Sequence, residues 1–159
     1  IIGEVRGGEA LDMIQAMTSG HAGSMSTLHA NVAMDALNRL ETLAMMSKVD
    51  LPLYALRAQI ASAIDLIALT TRFSDGSRKI TQLAEVLPLD TEGRYQVKDI
   101  FTYRLGEGAR AKDETGRLEW TGEKSSFSKE PKIRMLRDRM KLTNVIFEAA
   151  SSDKDKREK

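Results

Sequence analysis

The chain contains no cysteine. Disulfides are therefore excluded, and thiolate metal sites with them. No apolar run approaches the roughly 18 residues that a membrane-spanning helix needs. The first residue is not Met and no positively charged leader precedes an apolar stretch, so no signal peptide is expected. Neither sign of charge is in excess: 24 Lys and Arg stand against 23 Asp and Glu, which gives no bulk attraction for nucleic acid. Aromatic residues make up only 5%, with a single Trp. That scarcity argues against a DNA-translocating motor, which would need surfaces for bases and phosphates. No Gly-x-x-x-x-Gly-Lys-Ser/Thr occurs, so a phosphate cradle of that kind is missing. A Gly-x-Ser-x-Gly elbow and a Cys–His pair are missing too, which removes two common nucleophilic arrangements.

What is present suits one modest domain with its own core: 159 residues, 42% hydrophobic and 30% charged. A cytoplasmic protein is expected. The charge is uneven along the chain. Residues 1–103 carry 9 Lys/Arg and 12 Asp/Glu, and residues 104–159 carry 15 and 11. The basic tail suits acidic surfaces such as anionic lipid head groups, or it is an ordinary solvated surface.

The first half alternates strand and helix. Ile1–Gly3 reads as the end of a buried strand with Glu4 just past its tip, so the chain is expected to open partway through a domain. Ala10, Leu11, Ile14 and Met17 follow at close to helical spacing, and Gly20 is a natural stop. Ser24–His29 is a second short strand. Asn31 is placed to N-cap a helix over roughly 32–47, with Leu37, Leu40, Leu43 and Ala44 on one stripe. Asp50 and Pro52 start another helix to about Ile64, with Leu53, Leu56, Ile60 and Ile64 on one face. This order predicts parallel strands with helices packed on them.

The pattern then becomes antiparallel. Leu66–Phe73 and Arg78–Leu87 flank the turn sequence Ser74-Asp75-Gly76-Ser77, which predicts a hairpin. Glu92-Gly93 turns the chain into a strand over Tyr95–Leu105. Beyond it lie a polar extension over residues 106–150 and a charged, non-periodic tail at 151–159. The extension holds a short strand at Leu118–Thr121 and a basic amphipathic helix at Pro131–Leu142. The Met cluster (Met13, Met17, Met25, Met34, Met45, Met46) reads as core packing.

Two positions carry the chemistry. In open parallel sheets, ligands sit beyond the carboxyl ends of the strands. Glu4 is placed there, where a carboxylate can orient or deprotonate a water attacking a γ-phosphate, or hold the water shell of Mg²⁺; the alternative is a plain strand-end carboxylate. His29, after Thr27-Leu28, stands at the tip of the next strand. Its imidazole can donate to a γ-phosphate oxygen or to Glu4, or it is structural. Arg6 can clamp a phosphate or pair with Glu4 or Glu9. Glu9 suits the first turn of a helix. Thr27 and Ser26 can bond phosphate or simply belong to the strand. His21 and His29 have no carboxylate at a ligand spacing, so they do not read as a zinc site.

Taken together, these residues resemble a known family. Gly3-Glu4-Val5-Arg6-Gly7-Gly8-Glu9-Ala10-Leu11-Asp12-Met13 resembles the Walker B segment of type II/IV secretion ATPases. Gly20-His21-Ala22-Gly23-Ser24-Met25-Ser26-Thr27-Leu28-His29-Ala30-Asn31 resembles their His box. The spacing of that box resembles both the Tad/CpaF pilus ATPases and the conjugative type IV ATPases, and the stretches Asp35–Thr42, Gln59–Ile67 and Ser74–Thr81 resemble the Tad/CpaF continuation; the conjugative type IV ATPases are the near alternative. The resemblance covers residues 1–105 well and thins out to Trp120.

It implies the C-terminal half of a RecA-like α/β domain within 1–105, with Glu4 polarising water, His29 contacting the γ-phosphate, and Arg6, Glu9, His21 and Thr27 in support. It implies ATP and Mg²⁺, a cytoplasmic homohexamer at the inner face of the membrane, and a platform protein as partner. The family's upstream Walker A segment and acidic box are not in these 159 residues, so the segment by itself is expected to be inactive. A non-catalytic interaction module is the reading from a different class.

Overall fold

The computed structural model describes residues 1–21, 23–105 and 116–129; the expected basic helix at Pro131–Leu142 and the charged tail at 151–159 lie outside them. Three helices come first: α1 (Glu9–Thr18), α2 (Ala33–Met45) and α3 (Leu53–Ala63). Four strands follow: β1 (Leu66–Arg72), β2 (Arg78–Leu87), β3 (Gln96–Leu105) and β4 (Gly116–Trp120), then a 3-10 turn at Ser126–Lys129. The sheet runs in the order β1-β2-β3-β4, and every pair is antiparallel. Among the described residues, no helix is long and apolar enough to cross a membrane.

Local sequence explains most element boundaries. Gly20 takes φ 99° just after α1, a backbone region that costs glycine nothing. Pro52 precedes α3 as its N-cap. The β1–β2 hairpin turns at Gly76, with φ 82°, and the Asp75 carboxylate accepts from Ser77 N at 2.8 Å. At the β2–β3 turn Asp90 Oδ1 accepts from Glu92 N and Arg94 N, both at 2.8 Å.

Three expectations need correction. The parallel strands at Ile1–Gly3 and Ser24–His29 shrink to one parallel bridge, Ile2 to Ser26. Ile1 is fully exposed rather than buried, because no described strand lies on its other side. Second, Asn31 does not cap α2. The N-cap is Val32, without a side-chain bond, and Gln82 of β2 supplies the missing acceptor to Ala33 N at 3.0 Å. Third, the methionines divide. Met13 is buried, while Met25, Met45 and Met46 are exposed: Met45 and Met46 stand at the end of α2, and Met25 in the loop segment ahead of it.

The core forms where the helices meet the sheet. Val5, Leu11 and Ile14 pack with Leu37, Leu40 and Leu43 of α2, Leu56 and Ile60 of α3, and Val86 and Tyr95 from the sheet side. The stripe read from the sequence on α2 is thus the buried one; on α3, Leu53 stays exposed. A polar tie spans these layers. Arg57 on α3 donates to both carboxylate oxygens of Glu41 on α2, at 2.8 and 3.2 Å. The buried Tyr95 hydroxyl donates to Glu41 Oε2 at 2.9 Å. Burial, then the neighbouring Glu41 carboxylate, pushes the Tyr95 phenol well above its ordinary range.

A second tie closes the far side of the sheet. Glu85 on β2 is 1% exposed. It pairs with Lys98 of β3 at 3.1 Å and accepts from Ser126 N and from the Ser126 hydroxyl. This draws the chain after β4 back across the sheet, with Thr121 N bonded to Ile100 O on the way.

Candidate functional site

The site lies where two loop segments run side by side ahead of α1 and α2. Ile2 N donates to Met25 O at 2.8 Å, and Val5 N donates to Thr27 O at 3.1 Å. Between these two bonds, the Thr27 hydroxyl donates to Gly3 O at 2.5 Å. Thr27 therefore registers the two segments; its hydroxyl is spent on backbone.

This pairing brings Glu4 and His29 into contact. His29 Nε2 lies 3.0 Å from Glu4 Oε1, and Arg6 Nη2 lies 2.5 Å from Glu4 Oε2. Both oxygens of one carboxylate are thus engaged, one by an imidazole and one by a guanidinium. The Arg6 hydrogen bond, with the charges of Arg6 and His29 added to it, outweighs the opposing effect of burial and holds the Glu4 carboxyl below its ordinary range. The same bond raises Arg6 further above its ordinary value. The Glu4 side chain is 26% exposed, while those of His29 and Arg6 are 83% and 78% exposed. The cluster is accordingly open on its imidazole and guanidinium side.

Glu9 and His21 take other positions. Glu9 Oε1 accepts from Arg6 N at 2.8 Å and from Gly7 N at 3.0 Å, and those bonds lower its pKa. It fixes the turn that carries Arg6, just ahead of α1. His21 Nδ1 lies 3.1 Å from Ala16 O, in the last turn of α1. A ten-residue helix is about 15 Å long, and His21 is anchored at the end opposite Glu9. The Ser26 hydroxyl oxygen is enclosed and has no hydrogen-bond partner among the described residues.

Gly8, which the sequence reading passed over, is required here by close approach. A Cβ at Gly8 would lie 3.0 Å from both Ser47 N and Ser47 Cα. The start of α1 thus rests directly on the backbone that follows α2. The Gly7-Gly8 doublet was the available signal. Gly8→Ala is expected to destabilise the protein by roughly 1–3 kcal/mol, since backbone has to move to admit the methyl. Urea unfolding checks this; an unchanged midpoint would show that the contact is slack.

One carboxylate, one guanidinium and one imidazole converging on an open edge can orient a water, balance anionic charge and exchange a proton. Among the described residues, no group of three His, Cys, Asp or Glu could hold a metal ion.

Residues 1–122 match the family described as type II/IV secretion system protein, and the chain belongs to that family. It is 40% identical over 78 residues to the conjugal transfer protein TrbB of Rhizobium radiobacter, across 49% of this chain and 23% of that protein. It is 43% identical over 74 residues to the type IV secretion system protein PtlH of Bordetella pertussis, across 45% of this chain and 22% of that protein. The chain therefore spans less than a quarter of the length of these two relatives.

Proposed function

We propose that this chain is the part of a secretion-system ATPase that holds the water-activating carboxylate and the phosphate-sensing imidazole. In this reading the helices and the paired loop segments are the C-terminal half of a RecA-like domain. Gly3–Met13 is its Walker B segment and Gly20–Asn31 its His box. The observation that carries the reading is the 3.0 Å contact between His29 Nε2 and Glu4 Oε1. Two segments separated by α1 meet at an acid of one and an imidazole of the other.

The donor set fits the terminal phosphate of Mg–ATP. Arg6 supplies positive charge, His29 an N–H donor, and Glu4 a carboxylate held ionised by Arg6. When bound, Mg–ATP supplies the electrophilic phosphoryl group. Glu4 orients a water and accepts its proton. His29 leaves Glu4 to donate to phosphate oxygen, so that the Glu4–His29 contact changes with nucleotide state. Arg6 releases Glu4 Oε2 and balances charge at the same edge. Glu9 holds Arg6 through its backbone, Thr27 holds the register of the two segments, and His21 closes α1.

In its complete form the protein acts as a homohexamer on the inner face of the membrane, docked on a platform protein, with no nucleic acid as substrate. Two branches of the family suit it. The Ser74–Ser77 hairpin and the Pro52-led α3 favour a Tad-type pilus motor, and the names of TrbB and PtlH favour a conjugative or type IV machine.

The test is hydrolysis by a complete protein that includes these 159 residues. Mg²⁺-dependent release of phosphate from ATP is expected. A folded, complete protein that binds no ATP and releases no phosphate would leave the interaction-module reading in its place.

A further inference from the structure

The start of α2 is held from outside the helix, and what holds it bears on His29. We propose that Gln82, backed by Asp99, is a positioning residue for His29. It rests on the reading of Glu4 and His29 as a working pair.

Gln82 Oε1 accepts from Ala33 N at 3.0 Å, and Gln82 Nε2 donates to Asp99 Oδ1 at 2.7 Å. The carboxylate of Asp99 can only accept, so the amide NH₂ is directed to it and the amide oxygen is left for Ala33. Asp99 thereby fixes the polarity of the whole relay. The bond matters to α2 because the first-turn N–H groups have no partner within a helix. Ala33 is fully buried, and Val32 provides no side-chain cap.

Three residues, Ala30, Asn31 and Val32, separate Ala33 from His29. The segment is pinned on both sides of His29. On one side Thr27 is bonded to Gly3 O and to Val5 N. On the other, Ala33 is bonded to Gln82. The His29 side chain is too exposed for packing to hold it. Its position against Glu4 therefore depends on where these two pins place the backbone. The first pin comes from the Glu4 segment itself. The second comes from β2 and β3, so the antiparallel sheet holds the backbone on the C-terminal side of His29 through this bond.

The chain has two histidines, and the other, His21, is tied to Ala16 at the far end of α1. Ring ¹H–¹⁵N spectra of this 159-residue chain thus hold the reporter and an internal control. The measurement is the change in His29 ring shifts caused by Glu4→Gln, taken in the wild type and in Gln82→Met. In the wild type a clear change is expected. In Gln82→Met that change is lost while the His21 shifts stay in place; a change of undiminished size would overturn the proposal.

Where Gln82→Met also moves His21, Asp99→Ala, which removes the acceptor of the Gln82 amide, decides: an undiminished change overturns the proposal, and a reduced one supports it. The double variant Gln82→Glu with Asp99→Asn reverses the polarity, since the carboxylate accepts from both Ala33 N and the new amide. It is expected to restore the change, and failure to do so with His21 in place counts against the relay. No nucleotide is present, so a failure of ATP hydrolysis leaves this result standing. Intact hydrolysis alongside an unaltered His29 in Gln82→Met would sink the relay alone.

Discussion

Glu4→Gln in a complete protein is expected to lower ATP turnover by roughly 10²–10⁴-fold, the usual contribution of a positioned proton acceptor, while nucleotide affinity changes little. The substitution keeps the shape of the side chain. It removes the charge that Arg6 holds in place, and with it the capacity to take a proton from water. Arg6 and His29 remain to meet phosphate, and both are more exposed than Glu4 itself, so binding survives. Phosphate release under single-turnover conditions, measured beside nucleotide binding, separates the two effects. Turnover near the wild-type rate would remove Glu4 from its role and leave the cluster a strand-end ion pair.

The largest stability effect is expected far from that site. Glu85→Ala deletes a carboxylate that is 1% exposed and leaves the Lys98 ammonium and Ser126 N without their acceptor. Breaking a buried pair costs about 3–5 kcal/mol. The Lys98 side chain is 24% exposed and can still reach water, so roughly 3 kcal/mol is expected, or a melting temperature lower by about 10 °C.

The pH dependence has a definite sign. Burial pushes the Glu85 carboxyl up, but Ser126 and Lys98 outweigh it and leave the group below its ordinary value of 4.5. A depressed value in the folded state stabilises the fold above the ordinary value and loses that contribution as the pH falls through the folded one. The gap in melting temperature between wild type and Glu85→Ala should therefore narrow below pH 4.5. A gap that stayed constant into acid would show that packing, rather than the ion pair, holds Ser126 to β2.

Much of this protein is legible without coordinates. The stripe of Leu37, Leu40, Leu43 and Ala44 and the turn at Asp75-Gly76 follow from spacing and from glycine's freedom at positive φ. The acid at position 4 and the imidazole at position 29 were visible as residues at the ends of predicted strands. Each is a local property, set by neighbours within a few positions. What only the tertiary structure decided is which groups meet. Asn31 had the right chemistry to cap α2, yet Gln82, 49 residues beyond Ala33, fills that place. Thr27 had a hydroxyl suited to phosphate, and the pairing of two segments turned it onto Gly3 O. Glu85 is a charged residue that no local pattern marks as buried, and the returning chain seals it against Ser126. Hydrogen-bond partners and burial are fixed by the path of distant chain, and the periodicity of a single segment carries no record of that path.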